Sequence, residues 1–257
     1  MNDHLPTIDY QLLTVIKVSG HELDDPAYLS EFAAAIHSLN APTVIVHGGG
    51  AEISAMQKVM GIEPRYVDGV RITDPDSLKV VEMVLCGTVN KRLVRYLLAA
   101  GVDALGMSGV DRGLVRARQM QRTGQDMGFT GEVVAVRGDL LKGLLEQGIT
   151  PVIAPVSLGE TSSLNVNADH VAGAVAAAVG AARAVFLTNI EGVLSNDQLL
   201  STLTPDQTQR LIDDGTIFGG MIPKVQTALH ALTTGVQSAV ITNLKGLKSG
   251  TGTVFAA

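Results

Sequence analysis

The stretch TVIVHGGGAEI, residues 43–53, decides how the sequence is interpreted. Four β-branched residues precede His47, three consecutive glycines follow it, and a pattern typical of a helix begins directly after them. A strand, a glycine turn and a helix are the usual arrangement of a phosphate-binding loop in an α/β protein. The type of loop remains to be decided from the residues themselves.

Two familiar nucleotide-binding signatures do not fit this stretch. The P-loop needs a Gly-Lys pair, which the sequence lacks, and the Rossmann pattern fails because Ile53 stands where a small residue is required. Without a Cβ, glycine amides approach an anion closely, and the following helix N-terminus favours negative charge. A tight turn is the alternative, but it usually needs one glycine. We therefore predict an anion site at Gly48, Gly49 and Gly50.

The composition restricts the class of protein. The 257 residues are 46% hydrophobic and 4% aromatic, with 28 glycines, a formal charge of −6 and a single cysteine, Cys86. These values argue against a nucleic-acid surface and exclude a disulfide framework. The N-terminal residues lack the layout of a signal peptide, and the apolar runs are too short for a membrane span. We expect a soluble, cytoplasmic protein.

Segments typical of strands and helices alternate along the chain. Apolar runs that predict buried strands lie at 12–18, 43–47, 102–107, 150–156, 182–188, 236–242 and 252–255. Helical patterns separate them, including a long one from Pro75 to Ala100, and the runs 114–120 and 132–137 predict a β-ribbon. This alternation predicts an α/β fold with a doubly wound, largely parallel sheet.

Two lysines are candidates for contact with the anion. Lys17 ends the first predicted strand, and ligands of open parallel sheets bind at the carboxyl ends of strands. Lys224 falls in the first turn of a helix that begins near Pro223, where the helix dipole disfavours a cation. A solvated surface lysine is the alternative at each position. Because one lysine is predicted at the end of a strand and the other at the start of a helix, where ligands often bind, we favour a role for both in the anion site.

Further polar side chains add hydrogen-bonding groups. Asn165, Asn167 and Asp169 alternate along LNVNAD, so in an extended segment they would point to one side. Helix capping is the alternative for Asp169. Arg71 precedes a helix that Asp74 is placed to cap, and arginine suits a bidentate grip on a carboxylate.

These candidates are donors and cations, without a convincing pair of nucleophile and base. Phosphoryl transfer matches such a site, because its catalysis rests on positioning and charge neutralisation. A carboxylate acceptor fits especially well, since its pKa near ~4 leaves it ionised at neutral pH without a general base. The six histidines show no metal-ligand spacing, and Cys86 is expected to be a buried apolar residue.

The sequence resembles the amino acid kinase family. The segments that carry the resemblance follow the family's order and are VIKVSG, VHGGG, DGVRITD, EMVLCGTVNKRLV, DMGFTGEVVAV, LNVNAD, LTNIEGVL and GGMIPKV. The resemblance implies a three-layer α/β/α sandwich around a mainly parallel sheet of about eight strands. It also implies an N-terminal lobe, residues 1–175, for the amino-acid derivative and dimerisation, and a C-terminal lobe, residues 176–257, for ATP.

Within the family, the motifs most resemble those of the enzymes that phosphorylate the γ-carboxylate of N-acetyl-L-glutamate in arginine biosynthesis. On that resemblance Lys17 and Lys224 stabilise the transferring phosphoryl group, Asp169 holds the lysines, and Mg²⁺ arrives with ATP without a metal site built by the protein. The implied phosphate-contacting glycines are Gly20, Gly49 and Gly50. The implied substrate contacts are Gly48, Gly49, Arg71, Asn165 and Asn167. The implied nucleotide contacts are Lys17, Thr188, Asn189, Gly192, Gly219, Met221 and Lys224.

Three features depart from the family's pattern. Ser19 replaces the first glycine of the usual Gly-Gly loop, which is expected to alter amide geometry at the γ-phosphate. Asn189 replaces an acid near the nucleotide. Only about a dozen residues precede the first predicted strand, which is too short for the long helix that builds hexamers in arginine-sensitive relatives. We therefore expect a homodimer without strong feedback by arginine.

Two other functions stay open on the sequence. A related kinase acts on aminoadipate or glutamate attached to a small acidic carrier protein, and EMVLCGTVNKRLV and GMSGVD resemble that enzyme as well. It would need a basic patch, for which the candidates are Arg65, Arg92, Arg95, Arg112, Arg116, Arg118 and Arg122. The third possibility is a non-catalytic sensor of nucleotide or amino acid, which Ser19 and Asn189 favour and the retained lysines oppose.

Overall fold

The computed structural model describes residues 9–19 and 22–256. Its strands are β1 (Thr14–Val18), β2 (Thr43–His47), β3 (Arg65–Val67), β4 (Val70–Ile72), β5 (Ala104–Gly109), β6 (Val115–Gln119), β7 (Thr130–Val136), β8 (Thr150–Leu158), β9 (Ser163–Val166), β10 (Arg183–Leu187), β11 (Leu194–Ser195), β12 (Gln198–Leu199), β13 (Thr202–Leu203), β14 (Ala239–Thr242) and β15 (Thr253–Phe255). Its α-helices are α1 (Pro26–Leu39), α2 (Gly50–Val59), α3 (Pro75–Glu82), α4 (Asn90–Ala99), α5 (Gly138–Leu145), α6 (Ala168–Val179), α7 (Pro205–Asp213), α8 (Met221–Thr233) and α9 (Leu244–Ser249).

One large sheet organises the described residues. Its order is β13-β15-β14-β10-β1-β2-β8-β6-β7-β9, and β5 also pairs with β8. The pairings of β14 with β10, β10 with β1, β1 with β2, and β8 with β2 and β5 are parallel. The predicted α/β class is confirmed. The sheet has 11 strands instead of the expected eight or so, because the antiparallel β6–β7 ribbon, β9 and short edge strands extend it.

The central strands bury side chains on both faces, as their continuous apolar sequences predict. On β1, Val15 packs into one core cluster with helices α6 and α8, whereas its neighbour Ile16 packs into a second cluster with α1 and α4. The sheet is therefore the middle layer between two layers of helices. None of the described helices is long and apolar enough to cross a bilayer.

The predicted helix from Pro75 to Ala100 is continuous but changes its winding. A π-helical segment, Met83–Val89, joins α3 to α4. The Asp74 carboxylate accepts a hydrogen bond from the Ser77 amide and caps α3, as expected. Cys86 lies in the π-helical segment and is half-buried, less than expected, and burial raises the pKa of its thiol to about 11. We call residues 75–99 the long helical segment.

One local prediction was wrong. The alternation of Asn165, Asn167 and Asp169 does not continue along a strand, because β9 ends at Val166 and α6 begins at Ala168. The Asn167 side chain accepts a hydrogen bond from the Asp169 amide at 2.8 Å and is the helix cap. Asp169 consequently lies in the first turn of α6 and does not cap it.

The register of the parallel strands places the candidate residues at one edge of the sheet. Val18 of β1 pairs with His47 of β2 on one side and with Leu187 of β10 on the other. The three strands therefore end level with one another. Each loop that leaves this edge contains a predicted site residue.

Candidate active site

A cavity of about 650 Å³ opens at this edge of the sheet. It is bounded by the ends of β1, β2 and β10 and by the first turns of α2, α6 and α8. Its lining residues are Lys17, Ser19, Glu22, Gly48, Gly49, Gly50, Asn167, Asp169, Phe186, Leu187, Thr188, Asn189, Pro223, Lys224 and Thr227. Nine of the residues predicted from the sequence are among them.

Lys17 is held in the cavity by an ion pair. Its Nζ lies 2.9 Å from Oδ1 of Asp169, and the two side chains are 14% and 26% exposed. The same Nζ donates a hydrogen bond of 3.3 Å to Oγ of Ser19, whose hydroxyl in turn donates to the Leu187 carbonyl at 2.8 Å. Ser19, expected to disturb the first loop, thus links the ends of β1 and β10 and orients the lysine.

Lys224 reaches the cavity from the first turn of α8. Its Nζ donates a hydrogen bond of 3.2 Å to Oδ1 of Asn189. The partner is an amide oxygen and carries no charge, so this contact orients the ammonium group without neutralising it. The replacement of the family's acid by Asn189 therefore leaves the positive charge of Lys224 for an anionic ligand.

The glycine run forms the third wall. No side chain of the described residues caps α2, so the amides at its start are free for a ligand. A Cβ on Gly49 would lie 2.5 Å from Cδ2 of Leu85, which no ordinary packing allows, whereas a Cβ on Gly50 would meet open space. An alanine at position 49 would therefore require the Leu85 side chain to move, because the π-helical segment packs directly behind this glycine.

Arg71 and Asn165 lie beside the cavity and not in its lining. Nη2 of Arg71 donates to the Gly50 carbonyl at 3.3 Å and to Oγ of Ser54 at 2.8 Å, and Nη1 donates to the buried side chain of Gln57. Burial lowers the pKa of the guanidinium from its ordinary value, although that group stays charged at any physiological pH. Asn165 donates to the Thr73 hydroxyl at 3.0 Å, so it is attached to the segment just after Arg71.

The structure does not bring every predicted residue to the cavity. Gly219 precedes α8 and Met221 begins it, but neither residue lines the cavity. Gly192 is buried, and a Cβ there would lie 2.5 Å from the Leu199 side chain and 2.6 Å from that of Thr253. Close packing and a positive φ of 149° account for this glycine. Gly20 lies outside the described residues.

The chemistry of the donors fits the phosphates of a nucleotide. Two ammonium groups and a row of free amides converge on one cavity. Its lining holds two carboxylates, Glu22 and Asp169, and Asp169 is paired with Lys17. In the described part of the chain, no three His, Cys, Asp or Glu side chains are grouped so that they could hold a metal ion.

Comparisons with known proteins decide the family. The model of the amino acid kinase family matches residues 13–243. The chain belongs to the amino acid kinase family. It is 51% identical to the acetylglutamate kinase of Roseiflexus sp. strain RS-1 over 246 residues, which cover 96% of this chain and 92% of the relative. It is also 51% identical to the acetylglutamate kinase of Chloroflexus aurantiacus over 245 residues, with coverages of 95% and 96%.

A solved structure supports the same fold for this amino acid kinase. The crystal structure of smu.665 from Streptococcus mutans UA159 superposes with a TM-score of 0.80 at 30% identity. The match covers 96% of this chain and 99% of that one.

Two polar residues behind the glycine run were missed by sequence reasoning. Neither His47 nor Asn90 is among the site residues that the sequence predicts. In this amino acid kinase both side chains are buried, and they contact each other at 3.1 Å. The signal available in the sequence was the position of His47 directly before three glycines.

Proposed function

We propose that the protein transfers the γ-phosphoryl group of ATP to the γ-carboxylate of N-acetyl-L-glutamate, which gives N-acetylglutamyl 5-phosphate for arginine biosynthesis. The observation that carries the proposal is one cavity that combines the Lys17–Asp169 pair, Lys224 and the glycine run. It stands in a chain that shares half its residues with enzymes named acetylglutamate kinase.

The residues of the cavity meet the needs of this reaction. A carboxylate oxygen of the acceptor attacks the γ-phosphorus, and the bond from phosphorus to the bridging oxygen of ATP breaks as ADP leaves. No proton has to move, so the absence of a general base among the predicted site residues is consistent with the step. The difficulty is the repulsion between two anions, which Lys17, Lys224 and the glycine amides offset.

Asp169 acts on the lysines and not on the substrate in this proposal. Its carboxylate, 2.9 Å from Lys17 Nζ, holds that ammonium group in one position before ATP binds. Lys224 is oriented by Asn189, a neutral partner, and keeps its full charge for the phosphates. Mg²⁺, bound by the phosphates of ATP, would neutralise further charge.

We also propose separate roles for the N-terminal and C-terminal parts of the chain. Residues 1–175 supply Arg71, Asn165 and Asn167 for the acetylated amino acid and also the surface for a homodimer. Residues 176–257 supply Thr188, Asn189 and Lys224, which line the cavity, for ATP. The reaction would take place in the cytoplasm. Within the first part, Arg71 donates a hydrogen bond of 3.3 Å to the Gly50 carbonyl, so this arginine lies beside the glycine run.

Turnover assays test the proposal directly. The purified protein is given ATP and Mg²⁺ with N-acetyl-L-glutamate, with an acidic carrier protein that bears aminoadipate or glutamate, or with neither, and ADP release is followed. We expect ADP release with N-acetyl-L-glutamate alone. Activity only with the carrier would establish the rival kinase, and binding without turnover in all three assays would establish a sensor.

The carrier-dependent alternative receives little support from the arginines of its expected basic patch, none of which lines the cavity. Four of the seven arginines proposed for its basic patch are paired with carboxylates. The pairs are Arg65 with Asp74, Arg92 with Glu52, Arg118 with Glu132 and Arg122 with Asp68. Neutralised arginines offer an acidic protein less attraction than the sequence alone suggests.

Arg71→Ala is expected to weaken binding of the acceptor. We expect KM for N-acetyl-L-glutamate to rise about 10- to 100-fold, because a hydrogen bond between two charged groups contributes about 1.5–3 kcal/mol. KM for ATP should change little. Arg183→Ala is the matched control, since this exposed arginine begins β10 at the opposite edge of the sheet. A rise confined to KM for ATP would contradict the assignment.

A further inference from the structure

His47 is a fully buried histidine that is not part of the cavity lining. Its Nδ1 lies 3.0 Å from the Gly48 carbonyl oxygen, and its Nε2 lies 3.1 Å from Nδ2 of Asn90. Burial lowers the pKa of the ring to about 4, and the positive charge of nearby Lys91 acts in the same direction. The ring is therefore neutral at physiological pH, with one nitrogen protonated.

The surroundings of Asn90 decide which nitrogen carries the proton. Nδ2 of Asn90 also donates to the Val152 carbonyl at 2.9 Å, and Oδ1 accepts from Lys91 Nζ at 3.1 Å. The opposite orientation of this amide would set oxygen against oxygen and nitrogen against nitrogen. Nδ2 also lies 3.4 Å from the Met107 carbonyl, a longer contact than the one with His47. Because an amide NH₂ group only donates and the Gly48 carbonyl oxygen only accepts, Nε2 of His47 accepts and Nδ1 donates. The proton is consequently on Nδ1, which donates to the Gly48 carbonyl.

This hydrogen bond fixes the orientation of one peptide group in the glycine run. The carbonyl of Gly48 and the amide of Gly49 belong to the same planar trans peptide, so they point in opposite directions. The Val18 carbonyl accepts a hydrogen bond of 3.1 Å from the Gly48 amide, which fixes the preceding peptide group, between His47 and Gly48. With the carbonyl held towards His47 in the core, the Gly49 amide is turned towards the cavity that Gly49 lines.

We propose that His47 and Asn90 are positioning residues for phosphoryl transfer. Asn90 selects the ring tautomer of His47, and His47 turns the Gly49 amide to the site where negative charge develops. The inference rests on the proposed kinase function. It assigns a role to two residues that do not touch the substrate.

A second contact from the same helix supports this role. Arg92, two positions after Asn90 on α4, donates to the Leu23 carbonyl at 2.7 Å and pairs with Glu52 in the first turn of α2. The start of α4 thus holds both the loop after β1 and the helix after β2. It lies directly beyond the π-helical segment, and such segments occur often at functional sites.

Variants of His47 test the role through kinetics. We expect His47→Leu to lower kcat about 10- to 100-fold, which is less than the removal of an oxyanion donor because the Gly49 amide remains, while KM for both substrates changes less than about threefold. His47→Asn should recover most of that loss, because its amide NH₂ can occupy the position of Nδ1–H. Thr43→Val, which removes a buried hydroxyl from the other end of β2, is the matched control and should leave kcat unchanged.

Spectroscopy tests the same role without any activity. Two-dimensional ¹H–¹⁵N spectra of the histidine rings, with His47 assigned from its absence in His47→Asn, should show the Nδ1–H tautomer and no titration between about pH 5 and 8. In Asn90→Asp the carboxylate should draw the proton to Nε2, and kcat should become dependent on pH in that range.

The outcomes separate this inference from the proposed function. An inactive wild-type protein with the Nδ1–H tautomer would refute the kinase assignment and leave the geometry intact. An active wild-type protein whose His47→Leu variant keeps its kcat would refute the positioning role. An Nε2–H tautomer in the wild type would refute it as well, even if the variants fail to fold.

Discussion

Lys17→Ala is expected to lower kcat by about 10³-fold with ATP and N-acetyl-L-glutamate, and Lys224→Ala by a similar factor. Each variant removes a cation that offsets the charge of the transferring phosphoryl group. Lys17→Ala also leaves the Asp169 carboxylate without its partner at 2.9 Å, so this carboxylate would repel the phosphates. Binding of N-acetyl-L-glutamate should stay largely intact, because Arg71 and Asn165 are untouched. Steady-state kinetics and calorimetry measure the two effects.

The lysine variants need a control for the loss of a positive charge. Lys248→Ala is suitable, since Lys248 pairs with Glu31 on the surface and is absent from the cavity lining. The double variant Lys17→Ala/Asp169→Ala should bind ATP better than Lys17→Ala but should remain as slow. Near-wild-type turnover in either single variant would show that the roles of the lysines are wrong.

Gly49→Ala is expected to damage both stability and rate. The new methyl group would lie 2.5 Å from Cδ2 of Leu85, so the loop and the leucine must move apart. Overpacking of this kind costs about 1–3 kcal/mol, which lowers the melting temperature by roughly 2–10 °C in a chain of this size. We expect kcat to fall more than tenfold as well, since the displaced loop carries the amides that face the phosphoryl group. Thermal unfolding and kinetics provide the measurements.

Two further variants identify the cause of that effect. Gly50→Ala adds the same methyl group in open space, so its melting temperature should stay close to that of the wild type. Leu85→Ala makes room behind position 49, and in its background Gly49→Ala should cost less than it does alone. An equal cost in both backgrounds would mean that the contact with Leu85 is not the reason why glycine is needed.

The fold could be predicted from the sequence because its signals are local. Apolar runs mark the buried strands, and Asp74 caps the helix that the sequence assigns to it. The alternation in LNVNAD misled because it does not show where a strand gives way to a helix. There the hydrogen bond of Asn167 with the Asp169 amide decides the outcome.

The sequence predicts which residues belong to the candidate site but not which of them contact each other. Lys17 and Asp169 each stood out in the sequence, yet only the packing of α6 beside β1 makes them an ion pair. The internal partners of Arg71 and the contact of Asn90 with His47 join residues remote along the chain. No spacing or periodicity encodes such contacts, since they depend on how elements pack.

The long helical segment has a consequence for how the chain can vary. Near its start, Ser77 accepts a hydrogen bond of 2.8 Å from Gln57, which in turn accepts from Arg71. About 20 Å further along, Asn90 contacts His47 behind the glycine run. The segment therefore fixes the distance between the hydrogen bonds that lead to Arg71 and the contact with His47. Each residue added to or removed from it turns everything beyond by about 100°. A change in the length of the segment would therefore alter the relative orientation of its two ends, which the exchange of a single side chain does not do.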